Sequence, residues 1–164
     1  MRPLKIIIIL FVAITIANCS KSADTKNSNE KNVEVVEVTQ TELSLYDRLG
    51  GAEGISSIVD DIINNDIENP VTGAKFAHLK TNPEQLEMFK QHVKDFLGAG
   101  TGGPEKYTGK DVPTAHKGMQ ISSTEFLISV DNIMNVLSQH NVDDQTKKDM
   151  LYILYSFKDQ IIGG

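Results

Sequence analysis

At 164 residues, with 40% hydrophobic and 23% charged side chains, the chain has the balance of one ordinary globular domain. Its single cysteine excludes an internal disulfide and a cysteine-based metal cage. The formal net charge is −6, and Arg2 and Lys5 are the only charges among residues 1–18, so the remainder is more acidic still. With no tryptophan and 6% aromatics, that balance argues against nucleic acid or an anionic membrane surface as a partner.

The chain opens on a targeting segment. Arg2 and Lys5 give a positive start, and Ile6 to Ala17 is an apolar run shorter than the ~20 residues a spanning helix needs. Ile16-Ala17-Asn18-Cys19, followed by the polar Ser20-Lys21-Ser22, resembles a bacterial lipobox, with Asn18 where that pattern has a small residue. The resemblance implies a signal peptide over 1–18 and a lipidated Cys19. The mature protein would then sit outside the cytoplasm, in the periplasm or at the cell surface, touching a membrane through its lipid anchor only. The alternatives are an uncleaved signal anchor and a secreted soluble protein. Residues 19–41, rich in Lys, Asn, Glu, Ser and Thr, read as a disordered tether. The alternation Val33 to Val38 has no partner strand in the sequence and reads as linker as well.

Residues 42–164 read as one all-α domain. Leu43 to Leu49 predicts a short helix stopped by Gly50-Gly51. Ile55, Ile58, Val59, Ile62 and Ile63 recur at helical spacing and predict an amphipathic helix ending around Asn64 to Pro70. Phe76 and Leu79 fall in a short turn-rich segment. Thr81 or Asn82 is placed to cap the next helix, with Pro83 in its first turn. Leu86, Phe89, Val93, Phe96 and Leu97 form its stripe, and Gly98 and Gly100 are expected to stop it. Gly102 to Ser122 (GGPEKYTGKDVPTAHKGMQIS) is too interrupted by glycine and proline for a long helix. Beyond it, Ser122 and Glu125 stand at capping-box spacing ahead of Phe126, Val130, Ile133, Met134 and Leu137, with Asn141 closing that helix. A last helix carries Met150, Ile153, Leu154, Phe157 and Ile161 to Gly163-Gly164.

A long ordered loop inside a compact domain usually holds something, and the residue with chemistry here is His116. Taken alone, a loop histidine is more often a surface group than a ligand. The run G-G-P-E-x-Y-T-G followed by H-x-G-M, with Gly50-Gly51 inside SLYDRLGGAEGI, closely resembles group I truncated haemoglobins over roughly Leu43 to Ile162. The resemblance implies a two-over-two helical sandwich clamping one haem b between the Pro83–Leu97 helix and the His116 segment, with His116 as the proximal iron ligand. It suggests a lining drawn from Phe76, Leu79, Phe89, Val93, Tyr107, Met119, Ile121 and Phe126, although plain core packing accounts for each equally well.

The same resemblance implies reversible binding of a diatomic gas, oxygen or nitric oxide. The tyrosine that many relatives place on the second helix falls on Ile63, and the distal-helix positions fall on Phe89 and Val93, so the distal side is apolar. Losing a donor to bound oxygen weakens its binding by ~1.5–3 kcal/mol. His92 lies about one turn from Phe89 and Phe96. It is placed either to close the sixth iron site, as in some cyanobacterial and algal relatives, or to point outward to a haem propionate. The first role would favour electron transfer or redox sensing with a redox partner. His78 and His140 read as solvated. No catalytic residue is assigned, because nitric oxide dioxygenation or peroxidase turnover needs a reductant the sequence does not name. A non-haem helical lipoprotein acting as a binding module is the reading from a different class.

Overall fold

Helix formation in this chain is governed by its caps and its glycines. The computed structural model describes residues 42–163, so the expected signal peptide, Cys19, the expected tether and the Val33–Val38 alternation lie outside the described residues. The helices are α1 (Leu45–Arg48), α2 (Gly51–Glu68), α3 (Ala77–Lys80), α4 (Pro83–Thr101), α5 (Val112–His116), α6 (Ser123–Gln139), α7 (Asp144–Ser156) and α8 (Lys158–Ile161), with a 3-10 turn over Gly73–Phe76. Among the described residues the β structure is a single parallel bridge between Ile121 and Ile162.

Ser44 and Asp47 form a capping box at α1, and Gly50, at φ 88° and ψ 19°, turns the chain into α2 in a left-handed conformation that costs glycine nothing. Along α2, Ile55, Ile58, Val59 and Ile63 are each at most 4% exposed. That stripe meets α4 on one side and α6 on the other, and α6 packs in turn on α7. Val136, Leu137 and Met150 close the same core from the far pair. The long helices are therefore two packed pairs, α2 with α4 and α6 with α7, which is the two-over-two arrangement. A carboxylate on α2 also grips α4: the two oxygens of Asp60 lie 2.9 and 3.0 Å from Lys94 Nζ.

Of the two residues placed to cap α4, Asn82 does so, its side chain accepting from the Gln85 amide at 3.1 Å. Two expected helix ends are corrected. Helix α4 passes through Gly98 and Gly100 and ends only at Thr101, with Gly102 as a left-handed C-cap. Gly98 is there for contact: a Cβ on it would lie 2.5 Å from Glu105 Oε2, so the helix accepts glycine's ~1 kcal/mol propensity cost to admit that side chain. The last helix breaks at Phe157, and α8 turns from there onto α5. His140, expected in solvent, is instead half-buried with Nε2 2.8 Å from Asp61 Oδ2. His78 is exposed, as expected.

Candidate functional site

Asp111 opens the segment that carries the chemistry. Its side chain accepts from the Thr114 amide at 2.9 Å, Pro113 presets the first turn, and a single turn of helix, α5, follows. The Thr114 hydrogen bonds hold the Asp111 carboxyl below the usual carboxylate range. One turn places His116 four residues after Val112, and its Nδ1 comes within 2.7 Å of the Val112 carbonyl oxygen. A carbonyl can only accept, so Nδ1 carries the proton and donates. In the neutral imidazole Nε2 then keeps its lone pair, and no described residue occupies it. An imidazole oriented through its other nitrogen in this way is prepared to bind a metal.

The surroundings suit a metal that brings ligands of its own. No group of three or more His, Cys, Asp or Glu side chains converges among the described residues. One imidazole cannot hold a bare ion against water, but it can supply the axial ligand of a metal already set in a macrocycle. An open hollow of about 460 Å³ lies between α4, the loop, α5 and α8, lined by Phe96, Tyr107, Val112, Pro113 and Phe157 with the polar Asp111 and Gln160. That is within the usual size of small-molecule sites, and its walls are mostly apolar. Phe96 packs edge-on to Tyr107 at 5.1 Å and against Phe157 at 6.1 Å, while the Tyr107 hydroxyl donates to the Lys110 carbonyl at 2.7 Å. Val112 and Pro113 belong to the wall, with His116 at the other end of the same turn. The residues present fit a flat, largely apolar group such as haem.

The residues singled out in the sequence fall into two sets. Phe76, Phe89 and Val93 are half-buried and pack on the core cluster that contains Ile63, with the Phe76 and Phe89 rings 5.9 Å apart. Leu79 and Phe126 are each 5% exposed, and Phe126 meets Tyr155 edge to face at 5.8 Å. Of the second set, Tyr107 lines the hollow, and Met119 and Ile121 are half-buried on the return from α5 to α6. His92 is exposed on α4, on the same side as Phe89 and Phe96; through Phe96 that side faces the loop and α8. Sequence reasoning did not place Phe96, Val112, Pro113 or Phe157 at the site. Phe96 had a readable signal, seven residues after Phe89 on one stripe, whereas Phe157 had none because its role depends on the unforeseen break before α8.

Two pairs of long helices around a short, loop-borne histidine helix define a truncated globin. The truncated hemoglobin of Tetrahymena pyriformis in its Fe(III) form superposes with a TM-score of 0.66 at 21% identity, over 74% of this chain and all of that one. A 2/2 hemoglobin from Synechococcus, solved in the cyanomet state with covalently attached heme, gives 0.64 at 22% identity, over 74% of this chain and 100% of that one. The family model for bacterial-like globins matches residues 44–162, and the chain belongs to that family. In sequence, the group 1 truncated hemoglobin of Tetrahymena pyriformis is 28% identical over 119 residues, which is 66% of this chain and 94% of the relative.

Proposed function

We propose that the protein binds one haem b through Nε2 of His116 and reversibly binds a diatomic gas, oxygen or nitric oxide, on the opposite, apolar face. The observation that carries this reading is the 2.7 Å contact of His116 Nδ1 with the Val112 carbonyl, which leaves the Nε2 lone pair available to a metal beside a hollow with aromatic walls. The solved Synechococcus neighbour, with its attached heme, supports the cofactor. Haem supplies the iron at which a gas binds; the chain supplies its grip and its surroundings. Val112 holds the imidazole in register and raises its basicity. Phe96, Tyr107 and Phe157 exclude water from the flat group. Ile63, Phe89 and Val93 offer a bound gas no hydrogen-bond donor, which favours quick release over storage.

Haem added to the purified protein should give a strong Soret band that His116→Ala abolishes, while His78→Ala and His140→Ala keep it. Full retention in His116→Ala would sink the assignment. Anchoring is part of the same proposal: the lipobox-like Ile16 to Cys19 supports an extracytoplasmic, lipid-held domain. Mass spectrometry of the mature N-terminus, finding acylated Cys19 or an unmodified chain, decides it.

A second reading gives His92 the sixth iron site, turning the protein toward electron transfer. It is favoured by one observation, that His92 shares its side of α4 with Phe96, which packs on the loop and on α8. The gas-free ferrous protein should then be six-coordinate and low-spin, becoming five-coordinate in His92→Ala. A high-spin wild type returns His92 to a propionate or to solvent.

A further inference from the structure

Forty-one residues before His116, in the 3-10 turn ahead of α3, stands a lysine that the haem chemistry does not use. Lys75 Nζ donates to the Met119 carbonyl at 2.8 Å, lies 3.4 Å from the Gln120 carbonyl and 3.3 Å from Glu125 Oε1. Only 25% of the Lys75 side chain and 17% of the Glu125 side chain are exposed, so the ammonium has given up most of its water for these three oxygens. The other oxygen of Glu125 accepts from the Ser122 amide at 2.8 Å and the Ser122 hydroxyl at 2.7 Å. One cation thus ties together the chain returning from His116 and the start of α6.

That return segment needs a tie. Gly118 at φ 82° and Gln120 at φ 50° are both left-handed, and a non-glycine residue such as Gln120 holds that conformation only where its surroundings impose it. Its other backbone ties are a hydrogen bond from the Met119 amide to the His116 carbonyl at 3.1 Å and one from the Gly163 amide to the Ile121 carbonyl at 3.0 Å. Neither reaches the α4 side of the molecule. Lys75 does, because its neighbour Phe76 packs on Phe89 of α4. The bond is charge-assisted, and therefore stronger than a neutral one.

We propose that Lys75 is a positioning residue, a latch that joins the Phe76–Phe89 wall to the Met119–Ile121 return and sets how slowly haem leaves. This rests on the haem-binding reading above. A flat group seated between α4 and the His116 segment is freed when the two walls part, and the Lys75 contacts break when they do.

The variant to make is Lys75→Met, which keeps the length and apolar stem and removes the charge. Haem transfer to an excess of apomyoglobin should be at least about tenfold faster than from wild type, with the axial-ligand spectrum unchanged; Lys75→Arg should recover most of the loss. A transfer rate within twofold of wild type overturns the latch. Hydrogen exchange of the haem-free protein gives the independent reading. Amides 117–121 should exchange faster in Lys75→Met while those of α2 and of α6 beyond its first turn stay as they were; acceleration across those core amides makes Lys75 a general stabiliser and overturns the proposal. If wild type takes up no haem at all, the haem-binding reading and the retention clause fail together. Unchanged exchange at 117–121 then disproves the tie as well.

Discussion

The α2–α6 side and the α5–α8 side of this domain are finished to different degrees. On the first, Ile55, Ile58, Val59, Ile63, Val136 and Leu137 are at most 4% exposed, carried on helices of 18 and 17 residues. On the second, Val112, His116, Met119, Ile121 and Phe157 are only half-buried, and the helices are 5 and 4 residues long. Apolar surface left wet forgoes about 25 cal/mol per Å² of stabilisation, so a chain does not leave a whole wall that way without a use for it. One side is completed by its own side chains. The other is completed, on the proposed function, by a ligand, and its stability then rises with ligand occupancy.

The contrast can be broken most directly with matched truncations. Leu137→Ala opens a cavity in the finished side and should cost about 2–5 kcal/mol, with haem or without it. Val112→Ala, on the wall of the hollow, should cost under about 1 kcal/mol in the haem-free protein, because little of its burial is lost, and should show its larger effect only when haem is present. Urea unfolding of both variants in both states makes the comparison. Equal losses in the haem-free protein would mean that the two sides are equally complete.

The finished side is also the side that was legible in the sequence. Its stripes on α2, α4 and α6 follow the 3.6-residue period, and the caps at Asn82 and Ser122 stand where residue type and spacing put them. His116 was singled out through a motif rather than through periodicity. What could not be read depends on contacts between distant residues. Gly98 looks like a helix stop until Glu105 is seen to occupy the space its side chain would fill. Phe157 reads as one more stripe residue until the chain bends there to seat α8 on α5. The Lys75 bond to the Met119 carbonyl spans 44 residues and leaves no periodic trace. His140 reads as solvated because its partner, Asp61, is 79 residues away.

The finished side contains one group that works against it. Asp66 is 6% exposed on α2, and burial pushes its carboxyl up to about 6, against the pull of hydrogen bonds from Asn132, Ser129 and Thr72. The folded pKa lies above the unfolded one, so this contribution to stability is full below about pH 4 and is lost as the pH rises through about 6. A separation of about two units is worth at most about 3 kcal/mol. Asp66→Asn should therefore stabilise the protein by about 1–3 kcal/mol at pH 7, change little at pH 4, and flatten the slope between them. The capping carboxylates run the other way. Glu125 and Asp143 are held below their usual range chiefly by bonds from Ser122 and Thr146, so their contribution is present near neutrality and is lost as the pH falls through those lowered values. A thermal-unfolding series across pH separates the two, since only the upper limb should respond to Asp66→Asn.

The smallest expected effect tests where the two sides meet. Ile63 is 4% exposed in the core cluster on which Phe76, Phe89 and Val93 pack, so it belongs to the finished side while sharing that cluster with residues assigned to the distal wall. Ile63→Tyr would bring a hydroxyl into that apolar corner, and a donor there should slow oxygen release roughly tenfold, about 1.4 kcal/mol. The ring also has to be fitted into a packed site, at about 1–3 kcal/mol of folding stability, so the rates belong well below the variant's Tm. Ile63→Phe carries the same ring without the hydroxyl and isolates the hydrogen bond from the crowding. Slow release in the tyrosine variant alone makes the corner part of the gas pocket. Slow release in both makes it a steric gate, and no change in either puts Ile63 wholly within the core.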